Sequence, residues 1–483
     1  MPTVRTRFAP SPTGYMHIGN LRTALYEYLI ARSQGGTFIL RIEDTDAERF
    51  VEGSVAAIYK TLAMCGLRHD EGPDVGGPYG PYVQSQRKEI YLDHARKLVA
   101  AGGAYYCFCS KERIDGLRDA CEARHEVFKY DGHCKEIPKD EVAARIRNGE
   151  ACVVRQAIPA GSTTIHDELF GDITVDHGQL DENVLLKSDG LPTYNFANVV
   201  DDHLMRITHV VRGSEYLSSA PKYDLLYRAF GWEIPSYVHL PLIMKDHSRK
   251  LSKRHGDPSF EDLIGAGFLK DAVLNYILLL GWNPKDGREF FTLDEMTRAF
   301  SIAGLNKSPA IFDLEKLKWM NGEYVRKLNV DSFNELARPY IKQAIKRNDI
   351  DLRKVAALVQ QRTLILSDIP ARIDFIDALP DYDRGLFVNK KAKTDLVNSR
   401  EFLKICREEL EKVGTWDHEA IQKALFAVIE GKSVKANTFL TPLRIALSGR
   451  EVTPGGATEL AEILGKQETL ARIQRGIGRL SSN

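Results

Sequence analysis

The sequence has no apolar run long enough to cross a bilayer. Its longest, Ala272 to Gly281, is broken by Asn275, whereas a spanning helix needs about 20 predominantly apolar residues. The opening MPTVRTRF has no apolar h-region, so the expectation is no secretory leader, no membrane contact and a cytoplasmic location. Neither sign of charge is in excess: lysine plus arginine and aspartate plus glutamate each number 66 in 483 residues. An RNA-binding protein needs a basic face rather than a basic whole, so this balance neither supports nor excludes RNA. Cysteine is scarce, seven in all, which argues against the disulfide framework of a small secreted domain. Yet Cys107, Cys109, Cys121 and Cys134 fall within one short stretch. With 27% charged and 43% hydrophobic residues, the chain reads as globular. Its length suggests about two to four domains.

The first chemistry-bearing stretch is Val4 to Arg32. Val4 to Ala9 reads as a short strand. Pro10-Ser11-Pro12-Thr13-Gly14 continues neither strand nor helix. Leu21, Ala24, Leu25, Tyr28 and Leu29 then recur at helical spacing, predicting a helix from about Gly19. A strand, a glycine-containing turn and a helix N-terminus together make an anion site, because free N–H groups and the positive end of the helix dipole point at it. His17 stands at that mouth, where an imidazole N–H can reach a phosphate. Far downstream, Lys250-Leu251-Ser252-Lys253-Arg254 forms a basic loop after a strand-like run from Tyr237 to Met244. Ammonium groups spaced as in Lys250 and Lys253 can meet a triphosphate as its charge redistributes.

Arg7-Phe8-Ala9-Pro10-Ser11-Pro12-Thr13-Gly14 with His17-Ile18-Gly19-Asn20, followed by KLSKR, closely resembles a class I aminoacyl-tRNA synthetase of the bacterial glutamyl branch. The resemblance runs over essentially the whole chain. It implies a "HIGH" box at His17 to Asn20 and a "KMSKS" box at Lys250 to Arg254, with Leu251 and Arg254 in place of the family's Met and Ser. The implied fold is α/β. A Rossmann-like catalytic domain (1–105 and 190–255) carries an α+β insertion (106–189) that grips the tRNA acceptor end. A helical linking domain (256–328) and an all-α anticodon-binding half (329–483) follow.

The residues themselves agree with that outline. Thr37 to Ile42 is a second β-rich run and completes a βαβ unit. It ends in Glu43-Asp44-Thr45-Asp46, on the rim where open α/β sheets bind ligands. Gly72 to Pro81 is a surface loop, and Gln84 to Ala101 an amphipathic helix. Tyr194 to His203 reads as a helix with Tyr194 and Asn198 on one face, and Ile207 to Arg212 as a strand with Glu215 just beyond its end. Glutamate carries two carboxylates and one ammonium, so its pocket needs planar donors and one acid. Arg7, Arg212, Tyr194 and Glu43 are those types. The resemblance implies glutamate contacts from Arg7, Ala9, Ser11, Glu43, Tyr194, Asn198 and Arg212. For ATP it implies His17, Gly19, Asn20, Glu215, Lys250, Ser252 and Lys253, with His17, Lys250 and Lys253 catalytic. Arg49 would lie near ATP or the tRNA end.

Cys107-Phe-Cys109 can supply two of the four donors that zinc requires. Zinc-binding members of the family add a third Cys and a His two residues later. Here those positions are Cys134 and Glu136, with His133, His125 and Cys121 as alternative fourth ligands.

Beyond Asn329 the periodicity is helical: Phe333, Leu336, Ala337, Tyr340, Ile341 and Ala344 form one stripe. Phe402, Ile405, Cys406 and Leu410 form another, and Ile421, Leu425, Val428 and Ile429 a third. Basic clusters among them, including Arg472, Arg475 and Arg479 on one predicted face, suit a phosphate-tracking surface. The resemblance therefore implies a monomeric glutamate–tRNA ligase using ATP, Mg2+ and L-glutamate, with zinc as a candidate ion. A glutaminyl enzyme is the nearest alternative. That branch usually reads Pro-Glu-Pro-Asn-Gly at 10–14, lacks the arginine at 212 and has a β-barrel anticodon part. A catalytically silent tRNA-binding paralogue would have no need of His17, Lys250 and Lys253.

Overall fold

The computed structural model describes residues 3–251 and 256–481. It opens with β1 (Arg5–Phe8), α1 (Ile18–Ser33) and β2 (Thr37–Leu40). The two strands run parallel, Arg5 opposite Thr37 and Phe8 opposite Leu40, so the predicted βαβ crossover is present. The turn after β1 requires Gly14 at φ 114°, a conformation open to glycine and resisted by residues with a Cβ. Ile18, Leu21, Leu25 and Leu29 of α1 are fully buried.

Next come α2 (Ser54–Cys65), α3 (Lys88–Ala100), β3 (Ala104–Cys107), α4 (Lys111–Ala123), α5 (Lys139–Arg147), β4 (Val153–Gln156), β5 (Ser162–Asp167), β6 (Gly171–Asp176) and β7 (Val184–Leu186). Strand and helix then alternate through α6 (Tyr194–Leu204), β8 (His209–Gly213), α7 (Ala220–Phe230), β9 (Ser236–Leu240) and β10 (Ile243–Met244). β3, β4 and β7 make an antiparallel sheet of their own. The β5–β6 hairpin instead extends the parallel pair β8–β9 in the order β6-β5-β9-β8, meeting it where Asp167 lies opposite Tyr237. The segment 106–189, expected as an insertion, is thus tied into the nucleotide-fold sheet at one point. At the other flank, the Thr208 amide just ahead of β8 donates to the Arg5 carbonyl at 3.0 Å.

The chain continues through α8 (Phe260–Gly265), α9 (Lys270–Leu279), α10 (Leu293–Ala299), β11 (Ala310–Ile311) and α11 (Leu314–Lys327). Contacts divide it into two compact units, Met1–Leu263 with Val273–Asp313, and Ile264–Ala272 with Leu314–Asn483. The stretch 256–328, expected as one linking domain, is shared between them.

The second unit is helical throughout. Its elements are α12 (Val330–Ala344), α13 (Leu352–Gln360), α14 (Ile369–Asp377), α15 (Leu396–Lys412), α16 (His418–Gly431), α17 (Ala436–Ser448), α18 (Ala457–Leu464) and α19 (Lys466–Arg479). Among the described residues no strand follows Ile311. The predicted stripes make its core, with Phe333, Ala337, Ile341, Cys406, Leu410, Ile421 and Leu425 enclosed, whereas Leu336 is exposed. Arg472, Arg475 and Arg479, expected on one solvated helix face, do not share one. Arg472 is fully buried and donates to the carbonyls of Phe375 and Leu447 at 2.7 Å and of Ile376 at 3.2 Å. Those carbonyls belong to the last turns of α14 and α17, which lack intrahelical donors. Arg479 is taken up by the Tyr382 carbonyl and Asp381, leaving only Arg475 of the three exposed. No described helix is long and apolar enough to span a membrane.

Candidate active site

The carboxyl ends of β1, β2, β8 and β9 open into one cavity of about 1030 Å³, the position at which open α/β sheets take ligands. Arg7, Ala9 and Ser11 reach it from β1 and the turn that follows, and Glu43 from the run beyond β2. Tyr194 enters from the first position of α6, and Arg212 and Glu215 from the end of β8. His17, Gly19 and Asn20 line it from the start of α1, and Lys250 lines it as well. Arg49 also lines it. Asn198 does not line it; its Nδ2 donates to the Tyr194 carbonyl at 2.8 Å, so it supports the turn carrying Tyr194. Ser252 and Lys253 lie outside the described residues.

His17 is the N-cap of α1: its Nδ1 accepts the Gly19 N–H at 3.0 Å. One of the free helix amides expected to face a ligand is therefore used, and the hydrogen of a neutral imidazole sits on Nε2. Lys250 Nζ stands 3.7 Å from Glu215 Oε1, both half-exposed.

Arg7 and Arg212 share a type but not a setting. Arg7 is buried and donates to Asp202 through Nε and Nη2 and to Glu27 and the Val211 carbonyl through Nη1. Its guanidinium is almost fully committed inside the protein. Arg212 gives Nε–H to His239 at 3.1 Å, while its buried Nη2 has no hydrogen-bond partner. Three rings surround it, with Tyr223, Tyr237 and Tyr216 centroids 4.5, 5.5 and 5.6 Å from the guanidinium carbon. A buried donor left unmet is costly, so this atom can receive an acceptor from a ligand. Burial, reinforced by Glu43, pushes the Tyr194 phenol well above its usual range, which keeps its hydroxyl a donor. Glu43 Oε1 is held by Arg41 Nη2 at 2.9 Å.

Residues 3–319 match the family described as class I tRNA synthetases for E and Q, catalytic domain, and residues 332–477 an anticodon-binding domain. A glutamate–tRNA ligase from Clostridium kluyveri is 57% identical over 481 residues, 99% of either chain. One from Clostridium acetobutylicum is 58% identical over 478 residues, again 99% of each. A glutamate–tRNA ligase from Elizabethkingia meningosepticum, solved in complex with its amino acid, superposes with a TM-score of 0.91 at 34% identity, covering 99% of this chain and 100% of its own.

The chain belongs to the glutamate–tRNA ligase family.

Within this member of the family, a buried charge network that the sequence did not reveal supports the cavity floor. Asp202 Oδ1 is shared by Arg7 and Arg41, and Asp201 is bound by Arg87, Gln84 and Tyr91. Burial works to raise the Asp202 carboxyl, but Arg7 and Arg41 hold it below the usual carboxylate range. The available signals were Arg41 inside the apolar run Thr37 to Ile42 and paired acids at the buried end of α6. Either alone reads as solvated charge.

In the 106–189 segment, the Sγ atoms of Cys107, Cys109 and Cys134 lie within 4.8 Å of one another. Glu136, expected as the fourth ligand, is exposed and outside this group, where water already solvates its carboxylate. The oxygen among the sulfurs belongs to Tyr130, 3.4 Å from Cys107 Sγ and 3.2 Å from Cys109 Sγ. The Phe108 amide donates to Cys134 Sγ at 3.4 Å. Three soft sulfurs and one oxygen are a donor set that suits zinc.

Proposed function

We propose that the cavity joins L-glutamate to ATP, taken as its magnesium complex, and passes the glutamyl group to the 3′-terminal adenosine of a tRNA. The observation that carries this reading is the buried, unmet Nη2 of Arg212, in the cavity that the Tyr194 hydroxyl and Glu43 also line. That trio suits a side-chain carboxylate at one end and an ammonium at the other. A neutral amide in place of the carboxylate would leave the guanidinium charge uncompensated in a buried site.

Arg212 and Tyr194 bind the side-chain carboxylate, and Glu43 binds the α-ammonium. The helix N-terminus at His17-Ile18-Gly19-Asn20 receives the ATP phosphates, His17 donating through Nε2–H. An α-carboxylate oxygen attacks the α-phosphorus, and pyrophosphate leaves with the cleaved P–O electron pair. Lys250 and Lys253 neutralise that leaving charge. The 2′-hydroxyl of the terminal adenosine then attacks the adenylate carbonyl, and AMP departs. No enzyme nucleophile takes part, because placement and charge neutralisation suffice for such displacements. The helical unit reads the anticodon end.

Cys107, Cys109, Cys134 and Tyr130 would hold zinc, which would supply a structural cross-link between β3 and the Cys134 turn and no chemistry to the reaction.

The deciding experiment is aminoacylation of tRNA with labelled glutamate, with tRNA-dependent ATP–pyrophosphate exchange in parallel. Glutamate is expected to support both and glutamine neither. Equal exchange with glutamine, or no exchange with glutamate, refutes the proposal.

A further inference from the structure

Arg212 is fixed by a chain of hydrogen bonds that starts in β5, outside the β8–β9 pair. Its Nε–H goes to His239 Nε2 at 3.1 Å. His239 Nδ1 in turn meets Asp167 Oδ2 at 2.7 Å, and the His239 backbone amide donates to the same oxygen at 3.0 Å. The other carboxylate oxygen, Oδ1, accepts the amides of Leu169 at 2.9 Å and Phe170 at 2.8 Å. Asp167 and His239 are wholly enclosed and Arg212 nearly so. Asp167 ends β5 and is the residue through which the β5–β6 hairpin joins β9.

This chain has one consistent assignment of hydrogens. A carboxylate only accepts, so the imidazole hydrogen sits on Nδ1. Nε2 then carries the lone pair that Arg212 needs. A protonated ring would set N–H against N–H and one cation against another. With Nε occupied, the Nη1–Nη2 end of the guanidinium remains for a ligand, and Nη2 is the atom left unmet. The tyrosines around Arg212 offer faces rather than a fixed acceptor for Nε, so among the described residues His239 is the hydrogen-bond partner that sets its rotation.

We infer that Asp167 and His239 are positioning residues for the amino-acid substrate: they hold Arg212 by its Nε so that its far end meets the substrate's side-chain carboxylate. The inference rests on the function proposed above and adds a role for residues that do not line the cavity. It makes the hairpin, contributed by a distant part of the chain, a determinant of amino-acid affinity.

The test is steady-state aminoacylation by the full-length chain and its His239→Phe, His239→Gln and Asp167→Asn variants, with glutamate and ATP varied separately. His239→Phe keeps the bulk and removes the acceptor. It is expected to raise the glutamate KM about tenfold or more and leave the ATP KM within about twofold, the scale of leaving a buried donor unmet. Gln at 239 offers an amide oxygen to Nε and is expected to return the glutamate KM to within about threefold of the parent. If His239→Phe does not fold, Asp167→Asn decides, with an expected severalfold rise in glutamate KM alone. An unmoved glutamate KM overturns the inference. So does a joint change in both KM values and the melting temperature that Gln does not recover. A parent chain that fails to charge tRNA with glutamate overturns the proposed function and this inference together. An active parent with unmoved variants overturns only the latter.

Discussion

Asp202 Oδ1 accepts from Arg7 Nε at 3.0 Å and from Arg41 Nη1 at 2.7 Å, so one carboxylate at the buried end of α6 fixes arginines from both β1 and the end of β2. Arg41 in turn holds Glu43. The cavity's acid and its committed guanidinium thus share one anchor.

Asp202→Asn keeps the shape and removes the charge. Breaking one partner of a buried ion pair costs about 3–5 kcal/mol, and a drop of that size is expected in the unfolding of the catalytic unit. Urea denaturation followed by tryptophan fluorescence measures it, Trp232 and Trp282 lying in that unit. An unchanged midpoint would show that Arg7 and Arg41 find other partners.

His17 does two things with its two nitrogens. Nδ1 caps α1 through Gly19, and Nε2–H is the donor proposed for phosphate. His17→Asn substitutes another good cap, so stability should change by less than about 1 kcal/mol. Pyrophosphate exchange should fall about 100-fold or more, as when a donor to developing charge is lost. Retained exchange would remove His17 from the catalytic set.

Burial, with Arg212 adding to it, lowers the His239 pKa from its ordinary 6.5 despite the hydrogen bond to Asp167. The unfolded chain takes up this proton near that value, and the folded chain only at lower pH. Stability from this group is therefore complete above the ordinary value and declines as pH falls below it. Melting temperatures recorded from pH 7.5 down to 5.5, as about two units spanning that value, should fall more steeply for the parent than for His239→Gln. Parallel slopes would place the titration elsewhere.

Metal content separates the candidate zinc donors. Protein expressed with added zinc is expected to carry about one ion per chain. Cys134→Ser should lose it and Glu136→Gln should keep it, because the Glu136 carboxylate is exposed and away from the sulfurs. Tyr130→Phe should weaken retention against a chelator, read by elemental analysis after dialysis. Full retention in Cys134→Ser would reject the site.

The alternation of strand and helix, the helical second unit and several of the cavity-lining residues were legible in the sequence. These are local matters: hydrophobic period, a Pro- and Gly-marked turn after β1, and motif residues beside strand ends. Tertiary structure alone decided which polar groups met. Arg7 and Arg212 look alike in sequence, yet one is consumed by Asp202 and Glu27 while the other keeps an open end. Arg472 reads as part of a basic surface and is buried against helix carbonyls. Glu136 has the spacing of a ligand, while the oxygen near the sulfurs comes from Tyr130. Asp167, far from Arg212 in the chain, is linked to it through His239. A hydrogen bond depends on a partner within about 3 Å and on its direction. Such partners come from segments that only folding brings together, which periodicity and spacing do not encode.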